Sequence, residues 1–293
     1  MAKPAVTGTL RLPFLPLAVV CILLAAACAW YTADTMSLVR ALLVLAGGLL
    51  AHLAVNALNE YHDFATGLDA RTEKSPFSGG SGVLPAYPKL AGRTLAVGII
   101  ALAGTVALGV YFALSSPWII PIGLAGIVLI VAYTPIITRF PWLCLVAPGT
   151  GFGLLMVNGA CYVLTGRFSA TALLASLTPF FLVNNLLLLN QIPDARADAT
   201  VGRRHLVIVY GRGKAFIAYT GFLLCCYLSI VLGVLLGLLP AHTLPACLTL
   251  LAWPIVRSAP QADNQALQRC LAANVLIVLI TPLLMAVGFI WAR

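Results

Sequence analysis

Charged residues are scarce in this chain of 293 residues, and acidic ones are the scarcest. Only 9% of the residues are charged, with 17 basic and 8 acidic side chains, whereas soluble domains average about a quarter. Hydrophobic residues make up 61% of the chain, and the mean hydropathy is +1.03. This composition excludes an ordinary soluble domain and predicts a polytopic protein surrounded by membrane lipid. Membrane topology explains the net charge of +9 better than a nucleic-acid partner does.

Several familiar catalytic signatures are also absent. The chain has no G-x-S-x-G elbow, no H-E-x-x-H pair and no P-loop. Its eight cysteines lie in or beside apolar segments without a C-x-x-C pair, which predicts buried thiols and no disulfide or metal framework. The four histidines are scattered, but His62 and His205 lie near polar stretches and are candidates for proton transfer or substrate binding.

Apolar runs close to the roughly 20 residues that a bilayer requires recur along the whole chain. A backbone in lipid must satisfy its own hydrogen bonds, so such runs predict helices. The first run is interpreted as a retained span and not as a cleaved signal, because many similar runs follow it. We therefore predict an all-α polytopic membrane protein that forms a single domain over 1–293. About nine spans are expected, at 13–31, 38–58, 94–114, 117–135, 143–164, 170–190, 214–238, 241–256 and 270–291.

Lysine and arginine are distributed unevenly between the two faces that these spans define. Fourteen of the 17 fall on one face, and the other face has Arg40, Arg167 and Arg293. Basic residues mark the cytoplasmic side of a membrane protein. We therefore expect an integral protein of the cell inner membrane, with the N-terminus and the polar loops inside and the C-terminus outside.

Two polar stretches, Asn59–Asp63 and Asn190–Asp198, end the second and sixth spans on that cytoplasmic face. Residues four apart share one face of a helix, so each stretch aligns its amide and carboxylate groups. Asp63 and Asp194 occupy equivalent positions in the two stretches, which suggests a duplicated unit. Glu60 is set aside as a solvated residue, and five other acidic residues lie in or beside the stretches: Asp63, Asp69, Glu73, Asp194 and Asp198.

Carboxylate and amide oxygens are hard ligands that suit Mg²⁺, which usually completes its coordination shell with water and substrate phosphate. We interpret the two stretches as halves of one magnesium–diphosphate site. The alternative is that these acids only balance the basic loops as solvated ion pairs, but the repeated N-x-x-x-D pattern on one face argues against it. The predicted metal ligands are Asn59, Asp63 and Asp69 in the first half, and Asn190, Asp194 and Asp198 in the second.

Irregular backbone is expected around the site. Pro193 removes a helix hydrogen bond, which predicts a kink or an opened turn just before Asp194. The glycine-rich stretch 78–82 is either a flexible loop or a nest of amides for phosphate oxygens. The fifth span contains small residues that favour close helix packing over a site: Gly149, Gly151, Gly153 and Gly159.

At these residues the sequence resembles the UbiA superfamily of intramembrane prenyltransferases. The resemblance covers most of the chain and is carried by 59–69, 190–198 and 202–206, with familiar segments at 10–15 and 281–283. It implies a helical bundle of nine spans around a central cavity that opens sideways to lipid. It also implies Mg²⁺-dependent transfer of a polyprenyl group from polyprenyl diphosphate to a small aromatic acceptor. The first motif is most similar to that of the menaquinone branch, whose acceptor is 1,4-dihydroxy-2-naphthoate; 4-hydroxybenzoate or another aromatic ring is the alternative.

The expected site residues combine the resemblance with the charges and rings near the two stretches. Cations would stabilise the leaving diphosphate, and tyrosine rings would position the acceptor or steady a cation. The expected catalytic residues are three carboxylates and three cations: Asp63, Asp194, Asp198, Lys74, Arg139 and Arg204. The expected substrate-binding residues are amides, cations and aromatic rings: Asn59, Asn190, Arg71, Arg203, Tyr61 and Tyr133.

Two other classes of membrane protein fit the sequence less well. A transporter also carries acidic residues, but near the membrane midplane, whereas these acids fall at helix ends on one side. An alcohol phosphatidyltransferase is also Mg²⁺-dependent, but its usual D-G-x-x-A-R signature is missing. The pattern therefore favours an interfacial enzyme.

Overall fold

The computed structural model describes residues 6–33, 35–72 and 79–293, and within these ranges it contains helices and no strands. The prediction of an all-α protein is therefore confirmed. Three residues named above, Glu73, Lys74 and Ser78, lie outside the described residues. The α-helices are α1 Pro16–Thr32, α2 Leu38–Ala65, α3 Val83–Ala86, α4 Ala91–Ala113, α5 Ile119–Ala132, α6 Pro141–Gly149, α7 Asn158–Thr165, α8 Ala170–Thr200, α9 Leu206–Leu235, α10 Trp253–Val256 and α11 Asn264–Trp291.

Shorter helical segments connect these elements. A π-helix, Thr150–Val157, joins α6 to α7 without a break, and a 3-10 helix, Ala241–Ala252, leads into α10. Two 3-10 turns, Val6–Leu10 and Leu12–Phe14, precede α1. A π-helix is rare in proteins and often marks a functional site.

Six helical segments in the described part of the chain are long and apolar enough to cross a membrane. The segment Val6–Phe14 meets α1 at an angle of 47°, and this bent pair would make a seventh span. Two further apolar helices, α5 and Ala241–Val256, are shorter. The six long helices support an integral membrane protein, while the count of nine spans stays a prediction.

The boundaries of the predicted spans differ from the helices at the polar stretches. Helix α2 continues to Ala65 and α8 continues through Pro193 to Thr200, so both polar stretches are helical and the expected opened turn at Pro193 is wrong. The long loop expected after the sixth span shrinks to 201–205, and α9, which follows it, is kinked where the backbone of Gly211 is non-helical (φ +79°). Hydropathy reports where a helix leaves apolar surroundings, and a helix whose polar end is buried against other helices continues beyond that point.

The protein interior centres on α8, which packs against α1, α6, α9 and α11. Of the spanning helices, α8 and α11 are the most enclosed, and their most apolar windows are 67% and 56% buried. Helix α5 has no buried residue at all and forms an outer wall of the bundle. Six of the eight cysteines are buried and all are free thiols, as the sequence predicted.

Two of the four glycines predicted to serve packing lie against α8. A Cβ atom added at Gly153 would lie 2.4 Å from the backbone nitrogen of Phe180, and one added at Gly149 would lie 2.0 Å from the Phe180 carbonyl oxygen. The Gly149 amide also donates to Asn184 Oδ1 at 2.6 Å. Gly151 differs, because its nearest neighbour is a leucine methyl group at 3.8 Å.

We expect Gly153→Ala to lower the melting temperature of the detergent-purified protein, because the new methyl group overlaps the backbone of α8. Overpacking of this kind typically costs about 1–3 kcal/mol. The matched control is Gly151→Ala, which gains the same roughly 1 kcal/mol of helix propensity without the clash. Equal melting temperatures for the two variants would show that contact between the π-helix and α8 does not require glycine.

Candidate functional site

A cavity of about 420 Å³ lies between α2, α4, α5, the π-helix and α8. Its polar end is formed where α2 and α8 end, and its other end is lined by apolar side chains of α2, α4 and α5. Eight of the predicted site residues line it: Asn59, Asp63, Asp69, Tyr133, Asn190, Asp194, Asp198 and Arg203. The two polar stretches, distant in sequence, therefore face one cavity.

Arg203 joins the two stretches directly. Its Nη1 atom donates to Asp198 Oδ1 at 2.9 Å, and its Nη2 atom donates to Asp63 Oδ1. Asp63 is only 5% exposed and Asp198 only 3%, so this single guanidinium is the shared counter-ion of two carboxylates that are almost fully buried. His205, which is 1% exposed, places Nε2 3.1 Å from the other oxygen of Asp198.

The same backbone motif ends α2 and α8 and places these aspartates. In α2 the amide of Gly67 donates to Phe64 and the amide of Leu68 donates to Asp63, with Gly67 at φ +73°. This is a Schellman cap, in which glycine accepts the left-handed conformation without a Cβ penalty. It places the Asp63 side chain in the last turn of the helix.

Helix α8 ends in the same way. The amides of Gly202 and Arg203 donate to Ala199 and Asp198, and Gly202 has φ +81°. Asp198 therefore corresponds structurally to Asp63, because each aspartate is followed four residues later by the capping glycine. The sequence alignment of Asp63 with Asp194 was wrong by one helical turn, although the D-x-x-x-G spacing that reveals the correct match is present in the sequence.

Asp69 follows the cap of α2 and adds a third buried carboxyl group to the polar end. It is 7% exposed, and its Oδ2 atom has no hydrogen-bond partner among the described residues. Burial, together with the charges of Glu60 and Asp63, raises the pKa of Asp69 to about 7. A cavity-lining carboxyl group with one unpartnered oxygen and a raised pKa has the properties of a cation ligand.

The glycine-rich stretch binds protein carboxylates through its amides. The Gly79 amide lies 3.4 Å from Asp194 Oδ2, and the Ser81 amide donates to Glu60 at 3.1 Å. Gly80 has φ +69°, and a Cβ atom there would lie 2.6 Å from Asp69 Oδ1, so a larger residue would be strained and would displace this carboxylate. Of the two interpretations of this stretch, the described residues support an amide nest, but one that holds acidic side chains.

The interpretation of Glu60 as a solvated residue is wrong. Glu60 is fully buried, and its carboxylate binds Arg11 Nε at 2.9 Å as well as the amide and hydroxyl of Ser81. Asn56 on the same helix donates to the Leu10 carbonyl at 3.2 Å. The segment Val6–Phe14 is thereby attached to α2, and Arg11 lines the polar end of the cavity. Its partners are remote in sequence, so no local pattern marked Arg11 as a site residue.

The remaining predicted residues are more peripheral. Asn59 donates to Thr134 at 3.0 Å, and Asn190 has a buried Oδ1 atom without a partner among the described residues. Arg71 is exposed and donates to Thr200 at 3.1 Å. Arg71 does not line the cavity. Three other predicted residues in the described part of the chain also do not line it: Tyr61, Arg139 and Arg204.

The donor chemistry at the polar end fits a hard divalent cation. Carboxylate oxygens of Asp63, Asp69, Asp194 and Asp198 and amide oxygens of two asparagines line one space, and oxygen donors of this kind suit Mg²⁺. Within the described ranges no three acidic, histidine or cysteine side chains are close enough to share one ion. Arg203 stands between Asp63 and Asp198, so these two could share an ion only after the guanidinium moves.

The apolar end of the cavity extends along α2 towards its N-terminal half. It includes His52, whose ring packs edge-on against Phe152 of the π-helix with centroids 4.8 Å apart. Gly123 and Gly126 on α5 face the cavity, and an added Cβ atom at either position would meet no atom within 4 Å. This end therefore offers open apolar space beside α5.

The fold and the site together define a class of protein. It is a lipid-embedded helical bundle in which acidic residues of two helices lie at the mouth of an apolar cavity. A model of the UbiA prenyltransferase family matches residues 18–280. The chain therefore belongs to the UbiA prenyltransferase family. The predictions of UbiA membership and of a prenyltransferase are confirmed at the level of this family.

Two characterised relatives have the same name. The chain is 30% identical over 193 residues to the 1,4-dihydroxy-2-naphthoate octaprenyltransferase of Bacillus subtilis (strain 168), an alignment that covers 62% of this chain and 58% of that protein. It is 27% identical over 290 residues to the 1,4-dihydroxy-2-naphthoate octaprenyltransferase of Escherichia coli (strain K12), covering 96% and 93%. The alignment thus spans less than two thirds of the first relative and nearly all of the second.

Solved structures share the fold. A UbiA homologue from Aeropyrum pernix K1 in the apo state superposes with a TM-score of 0.70 at 20% identity, covering 96% of this chain and 98% of that one. A UbiA homologue from Archaeoglobus fulgidus bound to DMAPP and Mg²⁺ superposes with a TM-score of 0.68 at 15% identity, covering 98% and 99%. At these identities the likeness establishes the architecture.

We expect Glu60→Gln to loosen the segment Val6–Phe14, because the Arg11 guanidinium would lose its carboxylate partner. A hydrogen bond to a charged group contributes about 1.5–3 kcal/mol. Hydrogen exchange of the amides in this segment should accelerate, while exchange in the core of α8 stays unchanged. Asp263→Asn, which removes one acidic charge at the start of α11, is the control. Unchanged exchange in the segment would contradict the role assigned to Glu60.

Proposed function

We propose that this protein transfers a polyprenyl group from polyprenyl diphosphate to 1,4-dihydroxy-2-naphthoate, as a step in the biosynthesis of a lipid quinone. The observation that carries the proposal is the meeting of Asp63 and Asp198 at the polar end of a cavity whose other end is apolar. An isoprenoid diphosphate has the same division into a charged head and an apolar tail. The names of both characterised relatives support the acceptor.

The site residues have distinct proposed roles. Mg²⁺, held by carboxylates of Asp63, Asp69, Asp194 and Asp198 and amide oxygens of Asn59 and Asn190, would neutralise the diphosphate and help it leave. The DMAPP- and Mg²⁺-bound archaeal homologue supports this metal. Arg203 and Arg11 line the same end and supply positive charge for the departing diphosphate. Arg71, Arg139, Arg204 and Lys74 would add positive charge around the mouth.

The chemistry would then take place in a space that excludes water. As the bond between the prenyl carbon and the diphosphate oxygen breaks, the allylic cation lies among apolar and aromatic walls that include Tyr133 and Phe152. An electron-rich ring carbon of the acceptor forms the new carbon–carbon bond, while the diphosphate leaves with the electron pair of the broken bond. Loss of H⁺ from that ring carbon, or of CO2 where it carries the carboxylate, restores aromaticity. Orientation and water exclusion by the chain would favour this attack over hydrolysis.

We also propose that the polar end of the cavity faces the cytoplasm. Arg40, Arg167 and Arg293, the basic residues expected outside, all bind to the far end of the bundle: Arg40 to Ser115, Arg167 to the Thr32 carbonyl, and Arg293 over the Trp30 ring. The other fourteen basic residues belong to segments that the predicted spans assign to the opposite face. This asymmetry supports the inner-membrane orientation with an internal N-terminus, and the shared apolar core supports a single domain over 1–293.

The decisive experiment is an assay of the purified protein with octaprenyl diphosphate, Mg²⁺ and separate naphthoate, hydroxybenzoate and homogentisate acceptors, with product masses recorded. We expect prenylated product from 1,4-dihydroxy-2-naphthoate, loss of turnover in EDTA, and loss by a factor of roughly 10² or more in Asp63→Ala, Asp194→Ala and Asp198→Ala. Asp263→Asn should keep full activity, because Asp263 lies at the start of α11 and does not line the cavity. Product only from 4-hydroxybenzoate would reassign the acceptor. Full activity of Asp194→Ala, or full activity of the unmodified protein in EDTA, would refute the metal site.

The apolar end of the cavity predicts a dependence on tail length. Gly126→Phe should fill the space beside α5 and reduce kcat/KM for octaprenyl diphosphate at least roughly tenfold relative to geranyl diphosphate, equal to about 1.4 kcal/mol of lost binding. The matched control is Leu124→Phe, two residues away and 58% exposed on the lipid-facing side. If both substrates lost activity equally, the tail would not occupy this part of the cavity.

A further inference from the structure

Arg203 occupies the carboxylate oxygens that a divalent cation would need. Its guanidinium holds Asp63 Oδ1 and Asp198 Oδ1, and His205 Nε2 holds Asp198 Oδ2 at 3.1 Å. Both oxygens of Asp198 are therefore engaged. A cation that binds Asp198 directly would compete with one of these two groups for the charge of the carboxylate.

The arrangement in which Arg203 binds both aspartates is stable in itself. Two buried carboxylates this close would repel each other, and one guanidinium placed between them relieves the repulsion. The backbone of Arg203 is fixed by the cap of α8, since its amide donates to the Asp198 carbonyl at 3.2 Å. Release of the aspartates therefore requires rotation of the Arg203 side chain alone, and no movement of α8.

A released guanidinium needs another anion, and the substrate would provide one. The fork of an arginine matches two phosphate oxygens as well as it matches two carboxylates. Arg203 lines the cavity, so its side chain can turn towards a diphosphate that lies there without leaving the site. Displacement by a metal ion alone would leave a guanidinium that is only 15% exposed without an anionic partner.

We propose that Arg203 couples the binding of Mg²⁺ to the binding of diphosphate. Without ligands it serves as an internal cation for Asp63 and Asp198, and when both ligands are present it passes from the carboxylates to the diphosphate. Mg²⁺ alone then binds weakly, and each ligand strengthens the other by the same factor. The inference rests on the proposed diphosphate site but not on the identity of the acceptor.

Isothermal titration calorimetry of the detergent-purified protein tests the coupling without any turnover. For the unmodified protein we expect Mg²⁺ affinity to rise when inorganic pyrophosphate saturates the protein, within the roughly 5- to 150-fold range usual for coupled sites. The titration is corrected for binding of Mg²⁺ to pyrophosphate in buffer. In Arg203→Gln, Mg²⁺ alone should bind more tightly than to the unmodified protein, and the effect of pyrophosphate should largely disappear.

Two further variants separate the effect of Arg203 from effects on folding and on local charge. Arg203→Lys retains the charge but lacks the fork, so it should show an intermediate coupling even if Arg203→Gln folds poorly by circular dichroism. Arg196→Gln removes an exposed positive charge from α8 close to the same aspartates and should behave as the unmodified protein does.

The outcomes separate the two proposals. Mg²⁺ that binds the unmodified protein equally with and without pyrophosphate overturns the coupling and leaves the proposed function intact. Weaker binding of Mg²⁺ alone to Arg203→Gln also overturns it, because Arg203 would then support the metal site instead of occupying it. Absence of Mg²⁺ binding under every condition overturns both the coupling and the proposed metal site.

Discussion

Two carboxylates buried where membrane helices end require a cation, and Arg203 provides it. Asp63 and Asp198 come from α2 and α8, and the guanidinium bound to both fixes the distance between those helix ends. Removing one partner from such a buried arrangement costs about 3–5 kcal/mol, because the remaining charge stays desolvated. The position of the polar end of the cavity therefore depends strongly on this bridge.

The location of these aspartates in the last turn of each helix has an electrostatic consequence. The C-terminus of a helix carries a partial negative charge, so an acidic side chain there is disfavoured and a cation is favoured. Two such helix ends, with Asp69 beside them, place three carboxyl groups at the mouth, and these acids by themselves create a negative potential there. A free diphosphate would be repelled from it. Recruitment of that anion must therefore proceed through cations, either metal ions or arginines such as Arg203 and Arg11.

Much of this arrangement could be predicted from the sequence, and the remainder depends on contacts between distant segments. Hydropathy predicted the helices, and the scarcity of acids predicted that Asp63, Asp194 and Asp198 share a site. Nothing local distinguishes Arg203 from Arg204: the cap around Gly202 turns one side chain towards the aspartates and leaves the other exposed. Glu60 was misjudged because its partner Arg11 lies 49 positions away, in a segment with no acidic residue of its own.

The length of α2 explains how one cavity would serve both parts of the proposed amphipathic substrate. Its 28 residues extend about 42 Å, which exceeds the roughly 30 Å hydrocarbon core of a bilayer. The last turn, with Asp63, can therefore lie at the aqueous interface while the middle of the same helix, around His52, stays at lipid depth. A charged head can then remain hydrated at the moment of entry, and an isoprenoid tail need never leave an apolar environment. A site at the membrane midplane would force the charged head across that barrier, so the position of the acids at one end of α2 and α8 favours an enzyme that works on lipid-borne substrates from one face.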